Sequence, residues 1–366
     1  MKERQGAFPD FMIHDAMVAG WIQGVDEKNI NPGSLDIAPT DEVYRIQGLP
    51  FPCPDEAVRD LLKKIGAAHH DTQFPLERGI TYLARAHGTY QLPGFIYAYA
   101  NPKSSSGRIR LRVRALADGV ELYDSLPQGF SGEMWLSICP DEMPVMLSVG
   151  EALAQLRVCN ADTRLDRTGI ALMLDQYRLL WGPDGSPMSR SDVGMHDDSL
   201  ILTINLHEDG WEGTQSNQIL DLARRDARIG DFFRPVIREN GGVVRLRKNG
   251  FYIFRTYERV YVPPCLACEM RPLDARFGEF RSHFAGFIDP GWGALANPTL
   301  FGGGLGRPIV FEIIPYEDLV FRHRQPVARI RFEKMAEPPR TMYDELGKSN
   351  YNKPDHLLSK HFSKER

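Results

Sequence analysis

Apolar and polar positions alternate with period two in short runs cut by Gly and Pro, and this spacing predicts strands over most of the chain. Such runs fall at 81–84, 95–99 and 133–136, and the text stays β in character to about residue 158. A helical period shows in two early places. At 15–22 it puts Met17, Val18, Trp21 and Ile22 on one face, and at 54–68 it brings Val58, Leu61, Leu62 and Ile65 into register. Asn31, Pro32 and Gly33 form a turn that leads into a strand ending at Ile37. Many short strands with few helices predict a mainly β chain built as a sandwich or barrel.

One strand breaks its own pattern. Residues 309–314 are β-branched and aromatic except for Glu312 in their middle. An ionised carboxylate inside an apolar strand is costly unless it is paired, wetted or used, and burial raises its pKa toward the range of a working general base. The competing reading places Glu312 on the solvated side of a one-sided sheet. Upstream, Asp289, Pro290 and Gly291 spell a tight turn, and Trp292 behind it can brace that turn against a β core.

The second half repeats the first. Residues 135–140 and 154–158 lie over 310–315 and 328–332, Tyr82 and Leu83 over Tyr252 and Ile253, and Leu92 and Pro93 over Val262 and Pro263. Ordered similarity over this length implies two copies of one β domain. Glu312 then has Ser137 as its counterpart, so the two copies differ in acid/base chemistry, and any catalysis by this route belongs to the second. The join falls between about residues 160 and 194, where Gly182, Pro183, Asp184 and Gly185 mark a loop.

A length of 366 residues also favours two domains. Apolar content of 42% and charged content of 25% are those of a globular protein, and a net charge of −4 supplies no global field for nucleic acid. The first residues lead into no hydrophobic signal region and no apolar run is long enough to span a bilayer, so a cytoplasmic protein with no membrane partner is expected. Five cysteines suggest reduced thiols. Pro264, Cys265 and Cys268 match half of the zinc nucleobase-deaminase signature, but no His or Cys has a Glu two residues on, so the metal site lacks its third ligand and its acid. Gly347, Lys348 and Ser349 end like a phosphate loop, but Met342 stands where its first Gly belongs.

Together, the run from Ile288 to Trp292 and Glu312 in the strand that follows resemble the deoxycytidine triphosphate (dCTP) deaminases of the trimeric deoxyuridine triphosphatase superfamily. The first half is similar too. Residues 30–37 look like that family's entry strand, and Lys103, Ser104, Ser105, Ser106, Gly107 and Arg108 resemble its phosphate loop. The resemblance implies two tandem deoxyuridine-triphosphatase-like distorted β barrels, residues 1–165 and 166–366, of which the second is catalytic. It implies a metal-independent reaction in which Glu312 activates water for attack on cytosine C4, with Mg²⁺ arriving on the triphosphate and no metal held by the protein. Arg271, Arg276, Asp289, Trp292, Tyr343, Lys348 and Tyr351 would bind substrate, and Lys103, Ser104, Ser105 and Arg108 would form a possible second phosphate loop. In the second copy Pro272 and Leu273 replace the loop serines. That copy can be set with Arg271 over Lys103, or with Pro272 over Pro102. The expected assembly is a homotrimer with stacked rings of first and second copies. A nucleotide pyrophosphatase, a bifunctional enzyme and a non-catalytic nucleotide-binding scaffold are the alternatives.

Overall fold

The computed structural model describes residues 4–282, 286–294, 306–347 and 357–363, and the chain is mainly β. It divides into two compact units, the first Met1–Asp162, Gln215–Phe232 and Ser359–Arg366, the second Thr163–Thr214 and Phe233–Leu358. Two segments that a linear division at residue 165 gives to the second half therefore fold with the first unit. No helix among the described residues is long and apolar enough to cross a membrane.

The first unit contains strands β1 (Leu35–Ile37), β2 (Pro39–Ile46), β3 (Thr81–Gln91), β4 (Tyr97–Pro102), β5 (Leu111–Ala117), β6 (Ser131–Pro140) and β7 (Ala154–Cys159). Antiparallel pairing orders one sheet β2-β3-β6-β5 and a second β1-β7-β4. Strand β6 is buried on both faces from Met134 to Pro140, because a helix closes the side away from the second sheet. That helix packs Val58 and Leu62 against Leu83, Leu116 and Trp135.

Both early helices differ from the periodicity. Helix α1 (Asp10–Val18) buries Met12, Ile13 and Ala16, leaves Val18 74% exposed, and ends before Gly20 at φ +77°. Trp21 and Ile22 thus fall outside it, and Ile22 pairs instead with Tyr90 of β3. Helix α2 (Val58–Lys64) starts where the Asp118 carboxylate accepts from the Val58 N–H at 2.8 Å and stops at Gly66, φ +64°, which leaves Ile65 exposed. Arg59 ties α2 to the sheet through Glu42 and Glu133 and lies 5.3 Å from the Trp135 ring centre.

The second unit repeats the plan with β8 (Leu200–Thr203), β9 (Trp211–Gly213), β10 (Phe233–Pro235), β11 (Tyr252–Val260), β12 (Leu266–Arg271), β13 (Phe280–Ser282), β14 (Phe287–Ile288), β15 (Arg307–Pro315) and β16 (Pro326–Lys334). Its sheets run β10-β9-β11-β15-β13 and β8-β16-β12-β14. The correspondence extends to single bonds. The Tyr82 hydroxyl accepts from Glu77 N–H at 3.1 Å and the Tyr252 hydroxyl from Arg247 N–H at 2.8 Å, and register shifts fall between Arg85 and Thr89 and between Arg255 and Arg259. One difference matters. The first copy spends the stretch after β2 on α2, whereas most of the chain between β9 and β10 folds with the first unit, and Val310 is half-buried where its counterpart Trp135 is buried.

The C-terminal segment is fixed within the first unit. Ser359 Oγ donates to Ser105 O at 2.9 Å, Lys360 pairs with Glu151, and His361 Nδ1 lies 3.4 Å from Arg224 O. Burial, with Lys360 beside it, depresses the His361 pKa to about 4. A histidine held neutral in the fold and titrating near 6.5 when released stabilises the docked state above that pH, and the contribution is lost as pH falls through the folded value. Hydrogen exchange of residues 359–363 is expected to show full protection at pH 7 and progressive loss between about pH 6.5 and pH 4, with up to roughly 3 kcal/mol at stake.

Candidate active site

Glu312 lies in the middle of β15 with 2% of its surface exposed, which removes the solvated reading. It is opposite Ile253 of β11, and alternation puts Val310 and Ile314 on its face. In the first copy Ser137 of β6 is opposite Leu83 of β3, so the ladders reproduce the sequence pairing of Glu312 with Ser137. A carboxylate so removed from bulk solvent is disfavoured as an anion unless neighbouring charges support it.

The turn at Asp289 is stitched on two sides. Gly291 N–H donates to Val262 O at 2.9 Å and Val262 N–H returns a bond to Trp292 O at 3.0 Å, while Tyr343 N–H donates to Pro290 O at 2.9 Å. Gly291 is required here, since its φ is +86° and a Cβ would meet the Met342 Cβ at 2.5 Å. Asp289 is 5% exposed. Trp292 and Tyr343 meet with ring centres 5.2 Å apart, and the Arg307 guanidinium lies 4.3 Å from the Trp292 centre. Arg307 pairs with Asp344, both nearly sealed from solvent. Burial disfavours the charge on Arg307, and Asp344 supports it. The structure thus brings the predicted Asp289, Trp292 and Tyr343 together at the start of Glu312's own strand. Gly293 and Gly306 bond to each other at 2.9 Å, so the excursion between them leaves and returns at one point. Its middle, together with Lys348 and Tyr351, lies outside the described residues.

Arg271 and Arg276 are placed differently. Arg271 ends β12 with its guanidinium 3.3 Å from Glu269, which also receives Arg331 at 3.0 Å. Arg276 is exposed and paired at 2.8 Å with Asp274, whose carboxyl that bond holds at a pKa of about 2. The ladders also choose between the two settings of this loop. Asn101 faces Gln155 as Arg271 faces Arg329, which aligns Pro102 with Pro272 and Lys103 with Leu273. The basic and serine positions of the motif are therefore kept in the first copy alone. There Ser104–Gly107 form a single helical turn, α3, Ser105 and Arg108 are buried, and Lys103 pairs with Asp36.

Cys265 is half-buried and Cys268 buried, both as free thiols, and no group of three His, Cys, Asp or Glu among the described residues is arranged to hold a metal ion. A cleft of about 560 Å³ is lined by Glu212, Arg234, Arg247, Tyr252, Asp318 and Val320, and no predicted site residue lines it. Arg307 and Asp344 went unnoticed in the sequence. Arg307 opens an apolar strand and Asp344 sits inside a short polar turn, and neither placement signals the other locally.

Residues 4–162 match the family model for the 2′-deoxycytidine 5′-triphosphate deaminase N-terminal domain, and residues 185–362 match that for its C-terminal domain. Among solved structures, the 2′-deoxycytidine 5′-triphosphate deaminase from Agrobacterium tumefaciens is similar, with 27% identity and a TM-score of 0.82 over 92% of this chain and 99% of that one. A comparison with curated protein sequences returns no match.

Removing one partner of the Arg307–Asp344 pair leaves a buried charge uncompensated. Arg307→Met is expected to lose roughly 3–5 kcal/mol in urea unfolding, whereas Arg307→Met combined with Asp344→Leu recovers most of it.

Proposed function

The chain belongs to the two-domain 2′-deoxycytidine 5′-triphosphate deaminase family, and from that premise we propose that it hydrolyses dCTP to dUTP and ammonia with Glu312 as general base and proton shuttle. Glu312 takes a proton from water, the hydroxide adds to C4 of the cytosine, and protons passed on by the same carboxyl let the amino group leave as ammonia. The observation that carries this reading is a carboxylate only 2% exposed, on the strand entered from the Asp289–Trp292 turn, where the first copy has Ser137. Burial raises the proton affinity of a carboxyl, and a base that must give its proton back needs that.

Asp289, Trp292 and Tyr343 form the substrate-side cluster of this proposal, with Lys348 and Tyr351 completing it. Arg271 and Arg276 are the second unit's phosphate ligands, which requires each to exchange its carboxylate partner for phosphate. Lys103, Ser104, Ser105 and Arg108 are the competing loop. An Arg271→Ala variant with a raised KM for dCTP and an unaffected Lys103→Ala variant would assign the triphosphate to the second unit, and the reverse pattern to the first. Mg²⁺ enters as the counter-ion of the triphosphate, and the working assembly is a homotrimer.

The decisive assay follows ammonia and pyrophosphate separately with dCTP and Mg²⁺. Ammonia release without pyrophosphate is expected, and Glu312→Gln is expected to abolish it while leaving nucleotide binding within a few fold. Pyrophosphate as the sole product would replace the deaminase with a pyrophosphatase, and binding without turnover would leave a scaffold.

A further inference from the structure

The face of β15 that carries Glu312 is bracketed by two arginines on neighbouring strands. Arg255 of β11 is opposite Val310, two residues before Glu312, and Arg281 of β13 is opposite Ile314, two residues after it. Diagonal neighbours on one sheet face have Cβ atoms roughly 7–8 Å apart, within reach of an arginine side chain. Arg255 is 19% exposed and donates to Glu208 at 2.6 Å. Tyr257, half-buried on the same strand, meets the ring of His323, which stacks on His207 at 3.8 Å, while Arg324 lies over the Tyr257 ring.

The same bracket stands in the first copy around Ser137. Arg85 is opposite Trp135 and Arg112 opposite Cys139, the positions equivalent to Arg255 and Arg281. There the acids are on the flanks, since Arg85 lies 3.1 Å from Glu42 and 3.7 Å from Glu133, and Arg112 bonds Asp141 at 3.0 Å. In the second copy those two acid positions are Pro308 and Tyr316, and the carboxylate has moved to the centre as Glu312. Two arginines have been kept, and their acids at these positions replaced by one between them.

We propose that Arg255 and Arg281 are positioning residues that keep Glu312 ionised in its buried site, so that it is a base at neutral pH. The proposal rests on the deaminase reading above. Burial alone would leave the carboxyl protonated and unable to take a proton from water, whereas opposite charge within about 4–6 Å lowers a carboxyl pKa by about 1–3 units. Glu208 draws off part of the Arg255 charge and sets how far the value falls.

The test measures kcat/KM for ammonia release from dCTP between pH 5 and pH 9 in the wild type, Arg255→Met, Arg281→Met and Arg255→Lys, with Glu312→Gln as reference. Each Met variant is expected to move the acidic limb up by about one unit, giving roughly tenfold lower kcat/KM near pH 6 and wild-type values on the alkaline plateau. Arg255→Lys is expected to restore the limb. Arg255→Gln and Arg281→Gln replace either Met variant that does not fold. An unmoved limb, or a loss equal at every pH, overturns the proposal while an inactive Glu312→Gln keeps the deaminase reading. An active Glu312→Gln overturns both.

Discussion

A carboxylate in the middle of a sheet is the constraint on which the second unit depends. Glu312 has apolar neighbours in sequence on both sides, so moving the register by one residue would turn Ile313 or Phe311 onto its face and drive the acid into the apolar core. The register is fixed instead by the ladder with β11 and by the Tyr252 hydroxyl, which ties the start of that strand to Arg247. The same tyrosine bond recurs in the first copy, where Ser137 puts no such demand on the strand, so the pinning belongs to the fold and the second unit uses it for a charge.

The turn at Asp289 solves a different problem. It must hold Trp292 against Arg307 while letting three backbone segments meet, and that meeting leaves no room for side chains. Gly291 is pressed against Met342, and Gly293 against Gly306 and the Val260 carbonyl. A methyl group at either glycine would push away the Met342 segment or the start of β15, and Arg307 would lose the ring it covers and the acid that balances it. The residue types of the turn follow from backbone crowding as much as from chemistry.

Much of this was legible from periodicity and repetition. The β class, the two copies, the pairing of Glu312 with Ser137 and the bracing of the turn by Trp292 are local or repeated signals; the ladders reproduce the first three and Trp292 packs against the core of the second unit. What was missed is nonlocal. The ends of α1 and α2 are set by positive-φ glycines at 20 and 66 and by Asp118, sixty residues beyond Val58, and no hydrophobic period reports these. The Arg307–Asp344 pair spans thirty-seven residues. Residues 215–232 fold with the first unit through contacts such as the Gln215 N–H to the Glu142 carboxylate, which a linear division of the chain does not report. The loop setting was open because Pro102 and Pro272 compete with a charge match, and only the Asn101–Gln155 and Arg271–Arg329 pairs decide between them.

The divergence of the copies can be traced to one helix. In the first, α2 lays Val58 and Leu62 over the face that carries Leu83, Trp135 and Ser137, and Arg59 locks it there through Glu42 and Glu133. A carboxylate at 137 would lie beneath those apolar side chains, where its anion is penalised, so a small neutral residue is the stable choice. The second copy builds no such helix from the corresponding stretch, and Val310 beside the acid is half-buried where Trp135 is buried. The copies thus differ at this face both in the residue at its centre, Glu312 against Ser137, and in what the chain lays over it, since residues 215–232 fold with the first unit.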